Sequence, residues 1–216
     1  FTYDTSGKQF WTLGVGEVDG NEIHFENMLA YRGGKFGPQF DPDDVEIDRW
    51  GSLTLTFDNC SRGTAAYAAN GQFGSGSQDI QKLTSVWGFD CAGRQSAVGS
   101  GGDGLLKPGF SGAWFDPEHD GEGFTVEVIG PETALIYWFT YDTAGNPAWM
   151  VSLADIVGAS LFASNLQQPV GARFGADFDP SDVVRQPWGQ AVFSFGSCGN
   201  GGMRYQGPAS YGPEST

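Results

Sequence analysis

The segment Asp116–Glu127 has the residue spacing of a calcium-binding loop. Asp116, Glu118 and Asp120 stand at positions one, three and five, Gly121 at position six and Glu127 at position twelve. In such loops hard oxygen ligands surround one cation, and the glycine permits a sharp turn between them. Position eight is a glycine where an apolar residue is usual, and the flanking residues alternate as strands do. The pattern favours a solvated acidic hairpin turn, and a calcium site with Asp116, Glu118, Asp120 and Glu127 as ligands is the alternative.

A second acidic cluster has a structural explanation. It comprises Asp41, Asp43, Asp44, Glu46 and Asp48. Asp41 followed by Pro42 has the residue order of a helix N-cap and a first helical position, so the sequence predicts one capped helical turn. The same order recurs at Asp179 and Pro180, where three of the acids are replaced. A cation site repeated along the chain would keep its ligands, so we interpret the cluster as a capped turn.

Catalytic equipment is sparse in this sequence. The two histidines, His24 and His119, are not accompanied by a Gly-X-Ser-X-Gly nucleophile elbow. Glu122 and Glu127 are a candidate carboxylate pair for glycoside hydrolysis, which uses two acids about 5–10 Å apart. Most acidic β-proteins offer such pairs. We therefore expect a protein that is not an enzyme, and a polysaccharide-acting enzyme is the weakest alternative.

Aromatic side chains are the other candidates for ligand contact. The chain has 7 Trp, 7 Tyr and 17 Phe, and exposed rings can stack on sugars or on apolar ligands. Trp50 recurs as Trp188, as a shared core position would, so we assign this pair to the core. The candidate ligand-binding residues are Trp87, Trp114 and Trp138.

The three cysteines predict one disulfide. Cys60 ends an alternating segment, and Cys91 follows about thirty residues later. A disulfide between them would close a loop and add about 3 kcal/mol of stability. Cys198 is then unpaired, and three buried thiols in a reducing compartment are the alternative. A redox or metal role is not indicated, because the sequence has no Cys-X-X-Cys motif.

The charge and hydrophobicity of the chain exclude several classes of binding partner. The net charge is -15, and Lys and Arg do not cluster, so nucleic acid and anionic membrane surfaces are not expected as partners. The sequence has no run of the roughly 20 apolar residues that cross a bilayer, so membrane insertion is not expected either. Because Phe1 takes the place of an initiating Met, we expect a trimmed or excised product of a secreted protein.

Residues 1–67 recur at a spacing of 138 residues. Aligned without a gap to residues 139–205, they share 23 identities. Phe-Thr-Tyr-Asp, Phe-Gly, Phe-Asp-Pro, Trp-Gly and a cysteine are among the shared residues. A period of this length is typical of tandem domains, because solenoid units are only about 20–50 residues long. The sequence therefore predicts about 1.5 tandem copies of one unit.

The copies predict the domain boundaries. We place a first copy at residues 1–98, lacking its opening strands, and a second copy at residues 110–216, lacking its C-terminal segment. A Gly-rich linker occupies residues 99–109. Two interpretations remain open: the chain is a window on a longer array, or residues 110–138 complete the fold that the first copy opens.

Alternation of apolar and polar residues predicts strands throughout the chain. The run 135–141 is apolar on both faces, so we expect that strand to be covered on both sides. Asp142 and Gly145 have the chemistry of a hairpin turn. One short helix is expected at residues 79–87. The predicted fold class is all-β, an antiparallel up-and-down meander that forms barrel-like or sandwich units.

Several motifs together resemble a known repeat. They are Gly-X-Trp-Phe-Asp-Pro at 112–117, Asp-Gly-Glu-Gly-Phe at 120–124, Phe-Thr-Tyr-Asp with Gly-Asn-Pro-X-Trp, and Phe-Gly with Phe-Asp-Pro and Trp-Gly. The set resembles a tandem all-β repeat found in secreted proteins of Gram-negative bacteria. The resemblance implies export and modularity, and it supplies neither an established activity nor catalytic residues.

The function expected from these observations is that of a secreted, non-enzymatic binding module. Its partner is expected to be a glycan, a surface polymer or a protein, at the cell surface or outside the cell. A structural repeat of an adhesin or filament is the alternative, in which strand addition between units joins copies of the chain. Apart from the alternative calcium site, we expect no cofactor.

Overall fold

The computed structural model of the protein describes residues 1–91, 93–94 and 106–211 and confirms the all-β class. The strands are β1 (Thr2–Tyr3), β2 (Gln9–Phe10), β3 (Thr12–Leu13), β4 (Glu17–Asp19), β5 (Glu22–Arg32), β6 (Glu46–Asn59), β7 (Arg62–Ala69), β8 (Ser75–Gln81), β9 (Gly112–Phe115), β10 (Gly123–Val128), β11 (Thr133–Tyr141), β12 (Pro147–Val157), β13 (Ser160–Val170), β14 (Val184–Ser197) and β15 (Asn200–Gln206). Short 3-10 helices lie at Gly37–Gln39, Pro42–Asp44, Gly71–Phe73, Pro108–Phe110, Gly175–Asp177, Pro180–Asp182 and Ala209–Tyr211.

The C-terminal sheet is an antiparallel meander of seven strands, in which β9 to β15 follow one another in chain order. It curls into a half-barrel. Rings from distant strands of the sheet therefore meet on its concave face: Phe124 of β10 lies 4.6 Å from Phe193 of β14, and Trp114 of β9 lies 4.7 Å from Phe195 of β14. These aromatic rings fill the interior of the half-barrel, whereas in a flatter sheet the same rings would be too far apart to touch.

The N-terminal sheet has six strands, in the order β3, β5, β6, β7 and β8, with β4 also paired to β5. A separate two-stranded ladder joins β1 to β2. We use the word counterpart for residues 138 positions apart. By that offset β5, β6 and β7 are the counterparts of β13, β14 and β15, and β2, β3 and β4 together span the counterpart of β12.

The turns follow from local side-chain chemistry, as the sequence predicts. In the β11–β12 hairpin, Asp142 Oδ1 accepts hydrogen bonds from the backbone nitrogens of Ala144 and Asn146, at 2.8 and 2.9 Å. Asp4, its counterpart, accepts in the same way from Ser6 and Lys8, so both hairpins close on an aspartate. The capped turns at Pro42 and Pro180 are also confirmed, because Asp41 and Asp179 accept from the backbone two residues on.

Strand β11 is covered on both faces, as its doubly apolar sequence predicts. On one face Ile136 and Trp138 join the core inside the half-barrel. On the other face Phe139 and Tyr141 join a second core, which includes Trp11 and Trp149. One strand thus separates two aromatic cores and belongs to both.

Reciprocal contacts join the N-terminal and C-terminal sheets. Trp11 Nε1 donates to the carbonyl oxygen of Thr140 at 3.1 Å, and its counterpart, Trp149 Nε1, donates to the carbonyl oxygen of Thr2 at 3.0 Å. In the same way Phe36 N donates to Asp142 O and Phe174 N donates to Asp4 O. In each pair, one hydrogen bond is related to the other by the 138-residue offset. Equivalent residues of the two halves of the chain therefore donate hydrogen bonds to each other's backbone.

The side chains of Phe36 and Phe174 each pack into the core of the opposite sheet. The Phe36 ring is 5% exposed and lies among aromatic rings of the C-terminal sheet, with centroids 5.6 Å from Trp138 and 5.1 Å from Tyr205. The Phe174 ring packs against Tyr67 of the N-terminal sheet, at 5.0 Å. Neither sheet therefore builds its core from its own residues alone.

One expectation for the middle of the chain, the short helix, is corrected. Residues 79–87 are not a helix: Ser75–Gln81 pairs with β7 as a strand, because the exposed backbone edge of β7 offers a ladder that outweighs a short helix. The expected linker 99–109 falls mainly outside the described residues. Within it, Leu106 is 2% exposed and packs in the core of the half-barrel, so that part of the segment is anchored.

The Cys60–Cys91 disulfide is present, with Cα atoms 5.7 Å apart. Cys60 follows the end of β6, and Cys91 follows the segment that leaves β8 for the C-terminal sheet. Along that segment the backbone nitrogen of Trp87 donates to the carbonyl oxygen of Val128 at 2.8 Å. The disulfide therefore ties β6 of the N-terminal sheet to a segment that contacts β10 of the C-terminal sheet. Cys198 is free and exposed, as the sequence predicts.

Candidate functional site

A cavity of about 700 Å³ lies between the first and last strands of the half-barrel. Strand β9 and the acidic turn after it form one wall, and β15 forms the opposite wall. The lining combines aromatic rings, glycine backbone, one histidine and two carboxyl groups. It comprises Phe36, Gly37, Pro38, Trp114, Phe115, Asp116, Pro117, His119, Glu122, Gly123, Phe124, Trp138, Gly199, Asn200, Gly201, Gly202, Met203 and Tyr205. A volume of this size is typical of small-molecule sites.

Trp114 is the best positioned of the aromatic side chains. Its indole Nε1 donates to the carbonyl oxygen of Phe110 at 3.1 Å, which fixes the ring orientation. The ring is nearly parallel to both Phe110 and Phe124, each with its centroid 6.4 Å away. Beside it Phe115 is 68% exposed at the edge of the cavity. This wall therefore presents an oriented tryptophan ring, and the next residue of the same strand is an exposed phenylalanine.

The floor of the cavity comes from both sheets. Trp138 of β11 and Tyr205 of β15 lie 5.4 Å apart, and Phe36 from the loop between β5 and β6 contacts both. The same loop contributes Gly37 and Pro38 to the lining. The cavity therefore requires the N-terminal sheet to be docked in place, although most of its walls belong to the half-barrel.

The acidic turn contributes a paired histidine and aspartate. Asp116 Oδ1 accepts from Glu118 N at 3.0 Å, and Asp116 Oδ2 lies 3.0 Å from His119 Nδ1. The backbone hydrogen bond from Glu118, with help from His119, lowers the pKa of the Asp116 carboxyl. The ring of Phe40 covers the imidazole at 4.7 Å. His119 is thus held in one orientation by a carboxylate and an aromatic ring.

Glu122 is the one largely buried carboxyl among the described residues that line the cavity. It accepts a hydrogen bond from the hydroxyl of Thr140, a fully buried residue of β11. Burial raises the pKa of Glu122, and the Thr140 hydrogen bond only partly opposes that rise. Such a group offers a polar contact in an otherwise aromatic pocket, as a hydrogen-bond donor when protonated and as an acceptor when ionised.

The structure divides the predicted ligand-binding residues. Trp114 and Trp138 line the cavity together. Trp87 is outside the lining and packs against the half-barrel core from the segment that follows β8. The backbone of Trp87 thus contributes to the connection between the sheets, and ligand binding by its side chain stays a prediction.

The predicted calcium ligands do not form a cluster here. In residues 1–91, 93–94 and 106–211, no group of three or more His, Cys, Asp or Glu side chains could hold a metal ion. Asp116 already accepts from Glu118 and His119, and Glu127 instead accepts from the hydroxyl of Thr84 at 2.5 Å. The acidic-turn interpretation accounts for these contacts, and calcium binding stays a prediction.

The candidate hydrolytic pair is also separated. Glu122 lines the cavity, whereas the described lining does not include Glu127. Sequence reasoning did not assign Phe36, Tyr205 or the glycines of β15 to the site. The available signal was the recurrence of Phe36-Gly37 at residues 174–175, which marks a shared structural position without showing which sheet the ring enters.

No protein-family model, curated protein or solved structure that was compared with this chain matches it. Within the described part of the chain, no helix has the length and apolar character needed to cross a bilayer.

Proposed function

We propose that this protein is a secreted, non-enzymatic binding module that holds a neutral saccharide in the half-barrel cavity. The observation that carries the proposal is the combination of aromatic walls with a buried carboxyl group in one open pocket of about 700 Å³. Sugar rings present apolar C–H faces and polar hydroxyl edges, so their binding sites combine aromatic surfaces with a few fixed polar groups.

The aromatic wall matches the apolar face of a sugar. Trp114 is oriented by its hydrogen bond to the carbonyl oxygen of Phe110, and its ring lies nearly parallel to that of Phe124, which also lines the cavity. A ring held in this way loses little conformational freedom on binding, so contact area is converted to affinity at low entropic cost. The buried carboxyl of Glu122 and the His119–Asp116 pair supply hydrogen bonds to hydroxyl groups.

Electrostatics favour an uncharged ligand over an anionic one. The chain carries a net charge of -15, and two of the cavity residues, Asp116 and Glu122, are acidic. The surrounding potential repels phosphate, sulfate and uronate groups. Neutral glycans are therefore the favoured class, and acidic glycans serve as the contrasting ligands in a binding test.

Two observations support the remaining parts of the proposal. The separation of Glu122 from Glu127 supports binding over hydrolysis, because a glycosidase needs both acids beside one bond. The Cys60–Cys91 disulfide supports an oxidising compartment outside the cytosol, where such bonds persist.

Calorimetric titration with neutral β-1,4-linked oligosaccharides of glucose and of N-acetylglucosamine tests this function. We expect Trp114→Ala to weaken binding at least tenfold, because it removes the oriented wall. Phe162→Ala is the matched control, since Phe162 is a 41% exposed aromatic residue of β13 outside the cavity lining. Thermal unfolding verifies that both variants fold. Equal affinity of the two variants, or no binding of either oligosaccharide series, would contradict the proposal.

A second candidate function is a structural repeat that is completed by strand addition. The specific observation in its favour is the edge of the N-terminal sheet. Along β3 and β4 this edge lacks a neighbouring strand among the described residues, and Val15 and Val18 are 95% and 75% exposed there. Unpaired strand edges with apolar side chains are sites for pairing with another segment.

A further inference from the structure

The edge formed by residues 11–17 differs from its counterpart in pairing. In the C-terminal sheet β12 pairs with β11 through nine residue pairs, from Thr133↔Asp155 to Tyr141↔Pro147. The corresponding ladder in the N-terminal part of the chain is the separate β1–β2 ladder, which has only two pairs, Thr2↔Phe10 and Tyr3↔Gln9. These two pairs are the counterparts of Thr140↔Ala148 and Tyr141↔Pro147, so the existing ladder has the β11–β12 register and stops after its last two pairs.

Apolar side chains are exposed where that ladder is missing. Val18 is 75% exposed, whereas its counterpart Ile156 is 5% exposed inside the half-barrel. Phe178 is 50% exposed, whereas its counterpart Phe40 is half-buried against His119. In each pair the covered residue, Ile156 or Phe40, is covered by residues within 110–141, and among the described residues only β1 corresponds to any part of that segment for the N-terminal sheet.

The open face extends across the N-terminal sheet. Ile23 of β5 and Leu55 of β6 are only half-buried, whereas their counterparts Leu161 and Phe193 are fully buried. In the half-barrel that cover comes from Val126, Ile136 and their neighbours on β10 and β11. The N-terminal sheet therefore presents the same apolar pattern as the half-barrel without the strands that cover it.

We propose that this edge and face are the docking site for a polypeptide segment with the sequence pattern of residues 110–138, leading directly into Phe1. The occupant is specified by continuity with an existing interface: the β1–β2 ladder already has the register into which such a strand would run. The half-barrel shows how a segment of this pattern covers an equivalent face, with β10 and β11 side chains directed into the core.

Docking would also create a second cavity. Phe174 already packs against Trp50, Tyr67 and Phe73, as Phe36 packs against the rings of the half-barrel floor. A docked counterpart of β9 and of the acidic turn would meet Phe178, just as His119 meets Phe40. The N-terminal sheet would then carry the same aromatic cleft as the C-terminal sheet.

The test extends the chain by placing a copy of residues 110–138 directly before Phe1. Thiol labelling of Val18→Cys, in a Cys198→Ser background, reports whether the edge is covered. We expect labelling to slow at least tenfold relative to a chain that carries a scrambled extension of the same composition. Val157→Cys is the matched control, because Val157 is 61% exposed on β12 and its labelling rate is expected to stay unchanged.

Hydrogen exchange provides a second measurement that needs no cysteine substitution. In the chain with the matched extension, the amides of residues 12–18 are expected to exchange at least tenfold more slowly than in the scrambled control. Unchanged exchange and unchanged labelling in a folded extended chain would overturn the proposal. Light scattering that finds a dimer of the unextended chain, abolished by Val18→Asp, would also overturn it, because a second copy would then be the occupant.

Discussion

Truncation of Phe36 is the most informative perturbation of this fold. The ring crosses from the loop after β5 into the core of the C-terminal sheet and is 5% exposed there. Four aromatic rings surround it: Trp138, Trp188, Tyr205 and Tyr211 lie with their centroids at 5.6, 6.0, 5.1 and 5.0 Å. Phe36→Ala therefore removes a cross-sheet anchor and leaves a hole among bulky rings.

The expected loss follows from the environment of the ring. Truncation of a buried Phe to Ala costs about 3–5 kcal/mol, including the cavity that remains. Large aromatic neighbours cannot collapse far into the hole, so we expect a value of about 4 kcal/mol. The counterpart Phe174 is only half-buried and contacts three rings, so Phe174→Ala is expected to cost about 2 kcal/mol.

Urea unfolding of the two variants, followed by tryptophan fluorescence and circular dichroism, measures this difference. The comparison between counterparts is the control, because both changes remove the same atoms from equivalent loops. A loss below about 1 kcal/mol for Phe36→Ala would refute the reasoning, because a surface substitution costs no more than this. An equal loss for both variants would also refute it, since the two cores would then be equally complete.

Three further outcomes follow from the same structure. The Cys60–Cys91 disulfide closes a loop with a separation of 31 residues, so its loss should lower the free energy of unfolding by about 3–4 kcal/mol. In the same denaturation assay Cys198→Ser should change the free energy of unfolding by less than about 0.5 kcal/mol. Similar effects of the two changes would contradict a structural role for the disulfide. Burial raises the pKa of Glu122, so above about pH 4.5 the folded state holds a proton that the unfolded chain has lost. The free energy of unfolding should therefore fall as the pH rises toward the raised pKa of Glu122, by up to about 1.4 kcal/mol per pH unit. Glu122→Gln should remove this contribution, so that stability falls less steeply with rising pH than in the unsubstituted chain between pH 4 and pH 8, and an identical slope in the variant would count against a buried carboxyl. If Asp116 serves the turn, Asp116→Ala should lower the melting temperature equally with and without calcium, whereas a calcium-dependent stabilisation lost in that variant would restore the calcium-loop interpretation.

Local signals in the sequence predicted local structure well. Asp142 and Gly145 indicated the hairpin between β11 and β12, and Asp41 before Pro42 indicated the capped turn, because these preferences depend on neighbouring backbone groups. The doubly apolar run at 135–141 indicated a strand covered on both sides. The disulfide pairing was also predicted correctly.

Long-range arrangements were beyond the same reasoning. The sequence around Phe36 does not show that its ring packs in the core of the C-terminal sheet, because that contact depends on how the two sheets dock. A short helix was expected at residues 79–87, but residues 75–81 pair with the open edge of β7 as a strand. Segments with weak local preference are decided by such tertiary pairing.

The candidate site shows the same division. Trp114, Trp138 and Trp87 were selected for their residue type. The first two line one cavity, whereas Trp87 is partly buried against the core outside the cavity lining. Glu122 was considered only as half of a hydrolytic pair. Its bond to Thr140 follows from the register of β10 on β11, a pairing between strands that is not evident from the sequence around Glu122.

Hydrogen exchange with and without neutral β-1,4-linked oligosaccharides is the most direct test of the binding function. The cavity lies between β9 and β15, so bound saccharide should slow the exchange of amides in residues 112–117 and 199–205. Residues 46–59 of β6 lie in the other sheet and serve as the internal reference. Slowed exchange confined to the two cavity segments is the predicted result. Unchanged exchange in those segments at saturating oligosaccharide, or protection confined to the N-terminal sheet, would contradict a saccharide site in the half-barrel.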